Sequence, residues 1–176
     1  NSIYVMTDLL LGNTAYDETD RVLILSADSV DLIEAVAEVA ADVHVYDGSY
    51  WALERLRNYM RADNVHFFDD VYPTEHDYYD TALILVPKGR DLGRAQLWSA
   101  MQALKVGGEL YIVGPNKSGA KPLIKDADAL FGNSNVLDYK RRHRLAVSLK
   151  QHDAQLPNDW DYDPTQTQTI RVNTAL

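Results

Sequence analysis

Two hydrophobic rhythms alternate along the chain. Residues 21–27 form a short unbroken apolar run, Val22 to Leu25 at its centre, which suits a strand buried on both faces. From Asp28 to Ala41 the period changes. Val30, Ile33, Ala37 and Ala40 fall on one helical stripe and acidic residues occupy the rest. A second strand follows at 42–47. Ser49 is a candidate N-cap for a helix with Trp51, Leu53, Leu56 and Met60 as its apolar positions.

The alternation continues. Strands are predicted over 64–68 and, after an acidic loop, over 81–86. A helix over 92–104 turns Ala95, Trp98, Met101 and Leu104 inward. Gly107-Gly108 predicts a turn before a strand at 109–113. A helix over 120–131 buries Leu123, Ile124, Ala127 and Leu130. Two last runs, 135–140 and 145–150, close as a hairpin around Arg141-Arg142-His143-Arg144. Strands separated by helices of this length predict an α/β fold, with a doubly wound, mostly parallel sheet and a C-terminal antiparallel hairpin. Residues 1–150 form this domain. Residues 151–168 turn polar and proline-containing and are expected to be a linker. Residues 169–176 look like the first strand of a following domain.

Composition narrows the chemistry. The chain has 176 residues and no cysteine, which excludes disulfides, thiolate metal sites and cysteine nucleophiles. No apolar run is long enough for a membrane span and no signal peptide is evident, so a cytoplasmic protein is expected. The net charge of −9 is unevenly spread. Residues 1–115 carry 8 Lys/Arg against 19 Asp/Glu, while residues 116–150 carry 8 against 3. An acidic protein binds nucleic acid poorly in general, but one basic segment is a candidate anion-facing surface. Lys117, Lys121, Lys125, Lys140, Arg141, Arg142 and Arg144 are its candidate phosphate contacts. A solvated hairpin tip is the plainer account of the same residues.

Ligands of open α/β sheets bind beyond the C-terminal strand ends. The first such loop, Ser26-Ala27-Asp28-Ser29, lacks the glycines that let backbone amides approach a phosphate or adenosyl group. Asp47, at the end of the second strand, is a candidate ribose-hydroxyl acceptor and equally a turn residue before Gly48. Val86-Pro87-Lys88-Gly89 follows the fourth strand. Amine methylation calls there for a polar acceptor, prolines and a stacking aromatic, and valine and glycine stand in the two decisive places. Gly114-Pro115-Asn116-Lys117-Ser118-Gly119 leads into a helix. It can hold an anion or be a plain turn with Ser118 as helix cap. No histidine has metal-ligand spacing to another, so a metal site is not expected.

Several of these stretches resemble one family. Tyr79-Asp-Thr-Ala-Leu-Ile-Leu-Val-Pro-Lys88 is similar to the FDTLI…WPK stretch in the N-terminal half of RsmC-type small-subunit ribosomal RNA guanine-N2 methyltransferases. Gln96-Leu97 fits the helix after it. Val113-Gly-Pro-Asn-Lys-Ser-Gly119 resembles their VGENRSG loop, with Gly114, Asn116, Lys117, Ser118 and Gly119 in matching places and Pro115 departing from it. The basic hairpin fits, and Trp160 and residues 169–174 resemble the lead into the second half.

The resemblance implies a Rossmann-like methyltransferase fold. It implies a degenerate N-terminal copy without catalytic residues, and S-adenosylmethionine as cofactor of the parent enzyme rather than of this piece. Its implied partners are a downstream catalytic domain and ribosomal RNA or the small subunit. Two other readings stand beside it. The chain is a stand-alone interaction scaffold, or an enzyme holding a nucleotide cofactor with loop 26–29 and Asp47.

Overall fold

The computed structural model describes residues 1–160 and 163–166. Seven strands form one sheet in the order β3-β2-β1-β4-β5-β7-β6. They are β1 (Arg21–Leu25), β2 (Asp42–Asp47), β3 (Val65–Asp69), β4 (Tyr79–Leu85), β5 (Leu104–Pro115), β6 (Asn135–Lys140) and β7 (His143–Leu149). The first five are parallel. β7 runs antiparallel to β5, and β6 antiparallel to β7. The predicted mixed, doubly wound sheet is therefore present.

Helices cover both faces. α1 (Ser2–Asn13), α2 (Val30–Ala37) and α3 (Tyr50–Tyr59) lie on one side, and α4 (Arg90–Ala103) and α5 (Lys121–Phe131) on the other. Successive strand residues point to opposite faces, so β1 sends Val22 and Ile24 into the first core and Leu23 and Leu25 into the second. That double burial is why its sequence is apolar without alternation. Ser29 and Ser49 cap α2 and α3 through Oγ, accepting from the Leu32 and Ala52 amides.

The structure departs from the sequence expectations in four places. α1 is an element that the periodicity does not announce. Trp51, predicted among the apolar positions of α3, is 77% exposed. β5 begins at Leu104, before the glycines rather than after them, and the turn expected at Gly107-Gly108 is a bulge within the strand, where the register against β4 jumps from Tyr79↔Leu104 to Thr81↔Glu109 and Gly107 has φ 93°. The Gly107 amide donates to the Lys150 carbonyl and the Lys150 amide to the Gly108 carbonyl, so pairing continues across the glycines. Ser118 does not cap α5, whose N-cap is Ala120 with no side-chain bond. A π-type turn over Asn116–Ala120, with Gly119 at φ 94°, joins β5 to α5 instead.

Within the polar stretch after residue 150, Ala154, Leu156 and Trp160 pack against the second core. The strand expected at 169–174 lies outside the described residues. No described helix is long and apolar enough to cross a membrane.

Candidate functional site

The strand order reverses between β1 and β4, and this switch point opens a crevice beyond the C-terminal strand ends. A cleft of about 530 Å³ lies there, with Ser26, Asp28, Asp47, Ser49, Lys88 and Gln96 among its lining residues. Three of these polar side chains, Ser26, Asp47 and Ser49, are engaged in hydrogen bonds. Asp47 accepts the Ala27 amide on Oδ2 and the Ser49 amide on Oδ1, both at 2.8 Å. The carboxylate thus pins the β1–α2 loop to the β2–α3 loop. Ser26 Oγ accepts the Asp28 amide at 3.0 Å. Ser29 Oγ, already the α2 cap, also meets Thr7 Oγ1 of α1 at 2.6 Å, so the start of α2 is covered by α1. Gly48 sits under Val71, whose Cγ1 would lie 2.9 Å from a Cβ placed there. Only Gln96 keeps a buried polar atom unpartnered among these, its Oε1. Glycine backbone, part of the usual cradle of an adenosyl or phosphate group, is not offered at 26–29.

The loop over 114–119 forms a second feature. A Cβ on Gly114 would fall 2.6 Å from Val86 Cγ2, and one on Gly119 3.3 Å from Val86 Cγ1. Both glycines therefore let the β5–α5 turn close on the β4–α4 loop. On the other side, the Asn116 amide donates to the Arg142 carbonyl at 2.9 Å, and Arg144 Nε donates to Asn116 Oδ1 at 2.7 Å. Asn116 thereby ties the turn to the β6–β7 hairpin. A cavity of about 350 Å³ opens between Lys88, Arg90, Ser118, Gly119, Pro122 and Leu123.

The predicted basic residues divide. Lys117, Arg141 and Arg142 are exposed at the C-terminal end of β5, because β7 pairs His143 with Pro115 and so brings the hairpin tip there. Arg144 joins them, its guanidinium 5.0 Å from the Tyr139 ring centroid. Lys140 instead pairs with Asp8 of α1 at 3.1 Å. Lys121 and Lys125 line a different groove with Arg90, Arg94 and Trp160. There Asp126 holds both arginines, Arg90 at 3.2 Å and Arg94 at 3.1 Å, and Arg94 stacks on Trp160 at 4.5 Å. Arg141 and Arg142 both have positive φ, 46° and 65°. A two-residue hairpin turn with both residues left-handed normally uses Asn-Gly.

Some residues at this sheet end escape sequence reasoning. Lys88 and Arg90 add charge beside the 114–119 loop; their signal is the Pro-Lys-Gly-Arg run itself, which by sequence reads only as an acceptor motif lacking its key residues. Tyr50 and Trp51 form an edge-to-face pair at 5.3 Å on the first turn of α3, next to the crevice, and both are exposed. Away from this end, at the start of β2, Asp42, His44 and His66 converge, although no local spacing links the two histidines.

Known proteins resemble this arrangement. The family described as "Methyltransferase small domain N-terminal" matches residues 8–162. A Ribosomal RNA small subunit methyltransferase C from Shewanella sp. (strain MR-7) is 31% identical over 135 residues, 77% of this chain and 39% of that protein. The protein of the same name from Shewanella baltica (strain OS185) is 32% identical over 129 residues, 69% of this chain and 36% of its own length. The chain thus spans about two-fifths of these relatives.

Among solved structures, the T. thermophilus 16S rRNA N2 methyltransferase (RsmC), in complex with AdoMet and guanosine, superposes with a TM-score of 0.69 at 25% identity. The match covers 86% of this chain and 40% of that one. A predicted O-methyltransferase from Agrobacterium tumefaciens superposes with a TM-score of 0.67 at 17% identity, over 89% of this chain and 84% of its own. That second likeness shows the fold alone.

Proposed function

This chain belongs to the family of methyltransferase small N-terminal domains, and on that premise we propose that it is the non-catalytic half of a cytoplasmic, S-adenosylmethionine-dependent ribosomal RNA guanine-N2 methyltransferase. Its work is to support a downstream catalytic domain and to position RNA. Methyl transfer belongs to the part of the parent enzyme that this chain does not span, and no step of it is assigned to residues here.

The observation that carries the reading is the character of one sheet end. Loop 26–29 lacks glycine, the α2 start is covered by Thr7, and Asp47 is committed to two backbone amides. In place of a cofactor cradle stand exposed cations, Lys117, Arg141 and Arg142, with an exposed aromatic pair, Tyr50 and Trp51, on the α3 side. Cations contact phosphates, and a flat exposed ring stacks on unpaired bases.

A combined variant, Lys117→Glu, Arg141→Glu and Arg142→Glu, tests this. Affinity for a small-subunit rRNA fragment should fall, and the log–log salt slope should shrink by about 2 to 3, near 0.9 for each phosphate no longer neutralised. Unchanged affinity and slope would remove RNA positioning from this domain. A calorimetric titration with S-adenosylmethionine should give no binding up to about millimolar. One-to-one binding would instead favour the cofactor reading, for which the open cleft and the unpartnered Gln96 Oε1 speak.

A further inference from the structure

Asp42 and His44 are two residues apart on β2, so their side chains share a face. His66 stands directly opposite His44 in the β2–β3 ladder. Register alone thus gathers two imidazoles and a carboxylate from two separate strands. His66 Nε2 lies 3.0 Å from Asp42 Oδ1, and His44 Nε2 lies 3.4 Å from Asp42 Oδ2. One ligand atom from each residue falls within 4.8 Å of the other two. A tetrahedral zinc ion with bonds of about 2.0–2.1 Å sets its ligand atoms roughly 3.3 Å apart. The two imidazole nitrogens each stand near that distance from one carboxylate oxygen, His66 from Oδ1 and His44 from Oδ2, and 3.4 Å is long for a direct N–H···O bond.

The surroundings match what a metal-binding imidazole requires. The other ring nitrogen of His44, Nδ1, is 2.7 Å from the Tyr79 hydroxyl. Such an outer hydrogen bond fixes ring orientation; in the tautomer that carries its proton on Nδ1 and donates it to Tyr79 Oη, the Nε2 lone pair faces Asp42 and His66. The His44 ring is further held by Phe68, Tyr78 and Tyr79, with centroids 5.1–5.7 Å away. His66 is half exposed and Asp42 partly so, leaving a path from solvent and room for water as a further ligand.

We propose that Asp42, His44 and His66 form a binding site for a zinc-class divalent metal ion. The site lies at the N-terminal end of β2, the opposite end from Asp47 and the crevice. Its role is structural. Among the described residues β3 is an edge strand paired only with β2, and a shared metal clamps the two across their first residues.

The test is titration of the untagged protein with Zn²⁺ by calorimetry and with Co²⁺ by visible absorption. The expected result is one ion per chain with a dissociation constant well below about 100 µM, intense Co²⁺ absorption of a low-coordinate site, and a higher Tm with Zn²⁺. His66→Ala and Asp42→Asn, both at accessible positions and checked by circular dichroism, should each weaken Zn²⁺ binding at least about tenfold and abolish the Tm shift. Tyr79→Phe, which keeps the ring but not the hydroxyl, should weaken it about tenfold, the usual cost of losing an outer partner. No binding up to about 100 µM, or binding unchanged in His66→Ala and Asp42→Asn, would overturn the site and leave a carboxylate bridging two histidines.

Discussion

Gly114 and Val86 touch with no space for even a methyl group between them: a Cβ on the glycine would lie 2.6 Å from Val86 Cγ2. Gly114→Ala should therefore cost about 1–3 kcal/mol, the usual range for overpacking. Val86→Ala in the same chain should recover only part of that loss, since it removes the methyl 2.6 Å away but keeps the Val86 Cβ, itself 2.7 Å from the added carbon. Urea unfolding of both single variants and the double variant measures the coupling.

Lys150 is 1% exposed. Its ammonium donates to the Leu104 carbonyl and, at 3.2 Å, to Asp77 Oδ1. Lys150→Met keeps the length but strands the carbonyl. The expected loss is about 1–3 kcal/mol, the cost of an unsatisfied buried acceptor. Asp77→Asn, at an exposed carboxylate, should cost far less in the same unfolding experiment.

The hairpin tip predicts a trade. Arg141 and Arg142 hold left-handed backbone, at a cost of roughly 1 kcal/mol or more for each side chain. Arg141→Asn with Arg142→Gly supplies the residues that this turn prefers. Thermal unfolding should show a rise of several degrees, about 1 kcal/mol for a domain of this size. RNA affinity should fall in the same protein. A variant that gains stability and keeps full RNA affinity would show that the arginines are not retained for binding.

Stability should also fall at high pH. Burial pushes the Tyr16 and Tyr111 hydroxyls from 10.0 up to about 12. With folded values raised above unfolded ones, the native state holds more protons between these limits, so its stability is complete below pH 10 and is lost as pH rises towards 12. Tyr16→Phe should show a shallower decline over that window in denaturant titrations.

How much the sequence discloses depends on whether a feature is local. β1, α2, β2 and α5 are legible because their periodicity follows directly from which face is buried, and the caps at Ser29 and Ser49 are short-range chemistry. α1 is obscured because apolar Tyr4 and Leu11 stand on its exposed side and blur the stripe. The Gly107-Gly108 pair reads as a turn because only the distant Lys150 keeps the strand paired there. Asp47 is visible as a candidate, but its commitment to Ala27 is a tertiary fact. The basic segment is obvious in composition. Its division among Asp8, Asn116 and the Trp160 groove is set by packing. The meeting of His44 with His66 depends on strand register, which no short motif encodes.

Asn116, through its amide and side chain, fastens the hairpin tip to the β5–α5 turn, and Gly114 fastens that turn to Val86. Three chain segments distant in sequence therefore behave as one stiff rim. A ligand binding at this rim would meet backbone segments already tied together, so little backbone entropy would be lost in assembling them. On the proposed RNA role, recognition there would be that of a template, selecting polyanions whose phosphate spacing matches the rim, while a flexible chain of the same charge would bear the cost of ordering itself.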